Sequence, residues 1–432
     1  MSVLSRSGDG VPIDGRAAWS SSNTKGVLAG LRVLDLSRVL AGPLTTQMLA
    51  DHGADVLKVE APEGDETRMW GPPFDDDGSS AYYAGLNHSK DNITLDLRAE
   101  AGRAILAHLL DAADVVVENF KAGTMAKWGF DYETVLAASR PDLVYCRITG
   151  FGVDGPMGGL PGYDAVLQSY GGLMSVNGYP DGNPLRVGVP IVDIVAANMA
   201  FSGTLLALLD RMRTGLGQLV DIALLDAVVS ILHPHSANWI VSEAIPRRTG
   251  DLHPTVVPYQ VFPTAEGGFF VSAANDRQFA RLVSVLGIPE LSEDPKFMSN
   301  GGRNENRDAL IGLLTPLIAQ WPRDKLAAKL TAAGVPSSPV NNVEQALTSP
   351  QVLHRELFID REEYRGLGVP ISLSRSTTRA PERAVAAGAD TDRILRLMGY
   401  REGEIDVLRS EGTLGGCLVE STGAATDMDL QP

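Results

Sequence analysis

A chain of 432 residues with 44% hydrophobic and 21% charged residues has a globular composition, and its length calls for two or three domains rather than one core. A formal net charge of −16 leaves no basic excess to meet phosphate backbones or an anionic bilayer. This argues against nucleic-acid and membrane-surface partners but not against a small anionic ligand in a local pocket. Cys146 and Cys417 stand in unrelated contexts without CxxC or metal spacing, so a reducing, cytoplasmic setting and no metal site are expected.

Residues 1–28 are Ser/Gly/Asp-rich, lack the apolar stretch of a signal peptide and are expected to be disordered. From 31 the pattern becomes regular. "LRVLDLS" (31–37) reads as a strand, "GPLTTQMLADHG" (42–53) as a helix closed by Gly53, and "ADVLKVEAP" (54–62) as a second strand. "DNITLDLR", "AEAGRAILAHLLDAA" and "DVVVENF" repeat the strand-helix-strand rhythm, and "PDLVYCRITGFG" (141–152) adds a buried strand. The alternation predicts an α/β fold with a largely parallel sheet. The apolar stretch 192–209 carries Asp193 and Asn198 and reads as a buried helix rather than a membrane span. After about 215 a strand runs into a helix, a Pro-rich stretch follows, and helices are expected near 277–287 and 304–320. The α/β rhythm returns at 324–350, and the Gly/Ser/Thr-rich tail beyond about 410 is expected to be disordered.

Four places carry chemistry-bearing side chains. "SRVLAGP" (37–43) joins strand to helix at the carboxyl edge of the sheet, where ligands bind, yet there is no GxGxxG and no GxxxxGK[ST], so a dinucleotide site or P-loop is not expected. "VENFKAGTMAKWGF" (117–130) offers Asn119, Phe120, Lys121 and Lys127 to a nucleotide and its phosphates, or is a solvated loop with a buried Phe. In "GLPGYDAVLQ", Tyr163 is placed to donate to a reacting carbonyl, or packs, while Asp164 reads as a helix cap. Asp193 opens an otherwise apolar helix; alone it reads as an N-cap, and otherwise as a nucleophile or base at the positive end of a helix dipole. No GxSxG elbow is present.

The segments "LAGLRVLDLSRVLAGP", "GADVLKVEAPEGDETR", "LNHSKDNITLDL", "ADVVVENFKAGTMAKWGF", "PGYDAVLQSYGGLMSVNG" and "AAGVPSSPVNNVEQALTSPQV" follow one another in a series that resembles the family III CoA-transferases from about 29 to 405. The resemblance implies an open-ring subunit. A Rossmann-like large domain would be built from 29–225 and 331–408, with a smaller α/β domain at 226–330 and a disordered tail at 409–432. Two such rings would interlock as a homodimer.

The resemblance further implies that Asp193 is the family's nucleophile, kept ionised by the helix N-terminus, whose N–H groups would also stabilise oxyanions. Tyr163 stands thirty residues earlier, where the family's racemases carry His. A phenol with a pKa of ~10 is a poor proton shuttle at neutral pH, so a transferase is favoured over an acyl-CoA racemase or epimerase. A non-catalytic acyl-CoA binder is a third reading, opposed by the intact Asp193. CoA or acyl-CoA is then a substrate, with a carboxylic acid as acceptor and no tightly bound cofactor. By position the CoA contacts fall on Val39, Leu40, Ala41, Leu95, Arg98, Asn119, Phe120, Lys127 and Tyr163, with Arg68 and Lys90 as additional phosphate or structural contacts. Leu40 stands where formyl-CoA transferase has Gln, Ala61 replaces an arginine and Asp91 a basic residue, and no glycine-rich lid is evident near 250–270. These departures point to a larger or more apolar acyl group than formyl or oxalyl. Succinyl-CoA with a dicarboxylate, a carnitine-like acid and an aryl acid all remain open.

Overall fold

The computed structural model describes residues 13–19, 25–75 and 78–415. Its contacts divide the chain into two compact units. One holds the described residues of Met1–Leu167, Val189–Ile231 and Glu356–Pro432, the other those of Gln168–Gly188 and Leu232–Arg355.

The first unit is built on six parallel strands: β1 (Arg32–Asp35), β2 (Asp55–Glu60), β3 (Asp91–Thr94), β4 (Val115–Glu118), β5 (Val144–Thr149) and β6 (Leu219–Ala223), in the order β3-β2-β1-β4-β5-β6. Pairing is in register from Val33↔Val56 on one side of β1 and Val33↔Val115 on the other. Helices cover both faces of such a sheet, so β2 and β4 are buried along their whole length; β4 opens on a continuous apolar run, whereas β2 carries the buried charges of Asp55, Lys58 and Glu60. Strands are added outward from β1 on one side and from β4 on the other, so the strand order reverses between β1 and β4. Their carboxyl ends form the crevice where open α/β sheets bind ligands.

Helix α1 (Ala41–Asp51) follows β1, α2 (Ala81–Asn87) precedes β3, α3 (Glu100–Ala112) precedes β4, and a short α4 (Asp164–Tyr170) follows β5. The long α5 (Ile191–Thr214) precedes β6 and is apolar and long enough to cross a membrane by length and composition. Here Val192, Ala196, Ala197, Ala200, Phe201, Thr204 and Ala207 are buried. The small residues let α1 approach closely, and the Thr45 hydroxyl donates to the Ala197 carbonyl at 3.3 Å.

The second unit has a three-stranded antiparallel sheet, with β7 (Tyr259–Thr264) paired to β8 (Gly267–Ser272) and β8 to β9 (Ser337–Pro339). Its core gathers Phe262, Phe269, Phe279, Leu310, Leu314 and Leu330. Because β9 pairs with β8, this unit continues past 330, where the sequence reading ended it.

Both chain ends need correction. Gly15–Trp19 forms a 3-10 turn whose Ala18 and Trp19 join the sheet core, and the Trp19 indole donates to the Val33 carbonyl at 3.3 Å. The stretch 1–28 therefore contains an anchored segment; 1–12 and 20–24 lie outside the described residues. The ordered chain also runs past 409, since Leu414 is buried and the Thr94 hydroxyl donates to the Gly415 carbonyl at 2.7 Å. Residues 416–432, including Cys417, lie outside the described residues, whereas Cys146 is a buried free thiol.

Truncating a buried aromatic removes its transfer free energy and leaves a cavity, so Trp19→Ala should lose about 3–5 kcal/mol of stability. Urea unfolding followed by circular dichroism checks this, and an unchanged midpoint would mean that the turn is not part of the core.

Candidate active site

The loop after β1 is held almost entirely by side chains. Asp35, fully buried, accepts the Ser37 N–H at 3.0 Å and its hydroxyl at 2.5 Å. The Lys58 ammonium donates to the Ser37 carbonyl at 2.7 Å. Beyond β4, Asn119 clamps Arg38 from both sides, accepting its N–H at 2.9 Å and donating to its carbonyl at 2.7 Å. Asn119 thus ties the two loops of the switch point together. Val39 sits at φ 69°, a left-handed conformation that is an outlier for a β-branched residue. Helix α1 begins at Ala41 with no side-chain cap and no acidic residue in its first turn.

Asp193 is the third residue of α5. Pro190 holds the cap position without a side-chain bond, and the capping carboxylate comes from elsewhere: Asp164 Oδ1 accepts the N–H groups of Val192 at 2.8 Å and Asp193 at 3.4 Å. The N-cap reading of Asp193 is therefore replaced by a remote cap, supplied to α5 by Asp164. These two N–H groups are consequently spent, so the expectation that they meet an oxyanion does not hold. No hydrogen bond to the Asp193 carboxylate is found among the described residues. The group is 9% exposed, and burial, then the charge of Asp164, pushes its pKa up to about 7. The pull of the helix end toward the ionised form meets a larger opposing effect. A helix N-terminus is worth about 0.3–1 kcal/mol to an anion, whereas the rise from 3.8 to about 7 corresponds to roughly 4 kcal/mol.

A cavity of about 140 Å³ opens at this place, lined by Val39, Leu40, Ala41, Asn119, Phe120, Tyr163 and Asp193 together with Arg38 and Lys121. It is smaller than the ~300–1,000 Å³ typical of a pocket for a drug-sized ligand. Eight of the residues singled out from sequence, Lys121 among them, meet here. The others do not. Arg68 is buried and forked onto Glu60 at 2.8 and 3.0 Å, with its remaining donors on Ser79, Tyr83 and Val385. Lys90 gives its ammonium to Asp35, Pro43 and Asn87 at 3.1, 2.8 and 2.8 Å. A buried cation must be compensated this way, which takes both from a phosphate. Leu95 is a core side chain at 1% exposure. Arg98 is exposed and paired with Asp96 at 2.8 Å, and Lys127 is exposed at the end of the short helix Thr124–Lys127; neither lines the cavity.

Sequence reading missed two features. Arg38 lies on the cavity wall and was passed over within a loop otherwise flagged. Tyr82 on α2 is raised to about 12, first by burial and then by the charges of Asp193 and Asp164, so it lies near that pair, while its neighbour Tyr83 turns inward and donates to Glu60 at 2.6 Å. The adjacent tyrosines on a short helix, necessarily facing different ways, were the available signal.

Comparison with known proteins bears on this geometry. The profile of CoA-transferase family III matches residues 28–391. A succinate–glutarate CoA-transferase of Agrobacterium fabrum is 42% identical over 354 residues, covering 81% of this chain and 88% of its own. A succinyl-CoA:glutarate CoA-transferase of Mus musculus is 35% identical, covering 93% of this chain and 94% of its own. The crystal structure of a CAIB/BAIF family protein from Brucella suis superposes with a TM-score of 0.80 at 42% identity, covering 87% of this chain and all of that one.

A carboxyl whose pKa rises on folding keeps its proton in the folded state through the window from 3.8 to about 7. Stability is therefore lost as pH rises through that window and stays lost above it. Asp193→Asn should raise the unfolding free energy at pH 8 by up to roughly 4 kcal/mol and do little at pH 4. Denaturant titrations at both pH values check this, and an equal effect at the two would contradict it.

Proposed function

The chain belongs to CoA-transferase family III, and we propose that it moves CoA from succinyl-CoA or a similar thioester to a small dicarboxylic acid through a covalent intermediate on Asp193. The carrying observation is the Asp193 carboxyl, buried but free of hydrogen bonds among the described residues, at the sheet's switch point. An Asp193 oxygen attacks the thioester carbonyl, the C–S bond breaks, CoA leaves as thiolate and a mixed anhydride remains. The thiolate then attacks the Asp193 carbonyl, releasing the donor acid and forming an aspartyl-CoA thioester. The acceptor carboxylate repeats the steps in reverse. Covalent catalysis divides an exchange that is slow in water, and the burial of Asp193 limits the access of water to the anhydride. Tyr163 donates to the reacting carbonyl, and the uncapped start of α1 at Ala41 supplies backbone N–H groups to the oxyanion.

The dicarboxylate assignment draws on the names of the relatives and on the two cations of the cavity wall. Arg38 or Lys121 meets the distal carboxylate, Arg38 being suited to bidentate pairing. The same reading has two copies interlocked as a homodimer in the cytoplasm. Exposed Leu206, Leu209 and Met212 on α5 supply an apolar face for the second copy.

Incubation with succinyl-CoA and glutarate should yield glutaryl-CoA by liquid chromatography. Arg38→Ala should raise the KM for the acid by about tenfold. Solvent deuterium entering the acyl α-carbon without any acceptor acid, and no glutaryl-CoA, would replace the transferase reading with a racemase.

A further inference from the structure

One buried ion pair beneath the cavity does more than neutralise itself. Asp65 and Lys58 lie 3.4 Å apart with side chains 1% exposed. Asp65 Oδ2 accepts the Val39 N–H at 3.3 Å, and the Lys58 ammonium holds the Ser37 carbonyl at 2.7 Å. The pair therefore grips the first loop two residues apart, on either side of Arg38, which Asn119 holds from the β4 side. Asp65 is itself fixed. Its Oδ1 accepts the Thr67 N–H at 3.0 Å and the Thr67 hydroxyl at 2.8 Å, and its own N–H donates to Glu60 at 2.9 Å. Burial works against the Lys58 ammonium, but Asp35 and Asp65 outweigh it and keep its pKa above the ordinary value.

The gripped residue is the strained one. A β-branched side chain at φ 69° persists only where the surroundings over-determine it, and such strain gathers at functional sites. Val39 also sets the direction in which Leu40 and Ala41 enter the cavity wall and α1 begins. We propose that Asp65, backed by Lys58, is a positioning residue that holds Val39 left-handed and so fixes the Val39–Ala41 wall against the reacting thioester. This rests on the cavity being the reacting site.

Glycine adopts positive φ without the steric cost of Cβ, so it should relieve the need for the grip. With succinyl-CoA and glutarate as probes, kcat/KM is measured for the wild type, Asp65→Ala, Val39→Gly and the double variant. Asp65→Ala should lose about tenfold when residue 39 is Val and about threefold or less when it is Gly. Equal losses in the two backgrounds, with folded protein by circular dichroism, would overturn the inference. Should Asp65→Ala not fold, Asp65→Asn runs the same cycle, because it keeps the volume and one acceptor but removes the charge facing Lys58. It should lose about threefold with Val39 and nearly nothing with Gly; equal losses again overturn it. Asp193→Ala is the control. Activity retained there sinks the reacting-site reading, whereas an inactive control with an additive cycle sinks only the positioning role.

Discussion

The hydrogen bonds from the Val192 and Asp193 N–H groups to Asp164 determine what the site can do. An aspartate in the first turn of a helix ordinarily spends its carboxylate on the orphan backbone donors there. With Asp164 filling that role from α4, the Asp193 carboxyl makes no hydrogen bond among the described residues and lines the cavity. The same arrangement sets two negative groups side by side in a poorly solvated place, which is why the Asp193 carboxyl titrates near neutrality rather than in the usual carboxylate range. On the proposed covalent route this favours attack by Asp193, since a carboxylate kept weakly solvated is more reactive than one bound by several donors. The stability it costs is one that enzymes commonly tolerate at their active sites.

The surrounding fold serves to hold this pair and the facing loops. Asp35, Lys58, Lys90, Asp65, Glu60 and Arg68 are all buried. Buried ion pairs seldom add net stability over a well-packed apolar core. Here Lys58, Asp65 and Lys90 direct hydrogen bonds to the backbone of the first loop and the start of α1, at Ser37, Val39 and Pro43. The network is therefore better understood as a fixture for loop geometry. Asn119 completes it by tying the loop after β1 to the loop after β4, and the small-residue face of α5 packs on α1, where the Thr45 hydroxyl meets the Ala197 carbonyl.

The parallel sheet was legible because strands covered on both faces leave continuous apolar runs, as in "DVVVENF", and because helix-length stretches separate them. Asp193, Tyr163 and the first loop were legible as an ordered series of segments rather than from any one motif. What sequence could not provide was partner identity. Arg68 and Lys90 look like available cations until Glu60 and Asp35 are seen to face them. Asp164 looks like a local cap because the N–H groups it satisfies lie 28 and 29 residues along the chain. Trp19 sits in a polar stretch, and only its fit beside Val33 shows that the stretch is anchored. Tyr82 carries no motif and gains meaning only from its nearness to the two aspartates.

The account stands on acylation of Asp193. The direct measurement is peptide mass spectrometry of wild type and Asp193→Ala after incubation with succinyl-CoA and a hydroxylamine or borohydride quench. A mass change confined to the peptide containing Asp193, absent from the variant, is the predicted result. An unmodified Asp193 peptide in an enzyme that still transfers CoA would contradict the covalent route and leave Asp193 a base or a binding group.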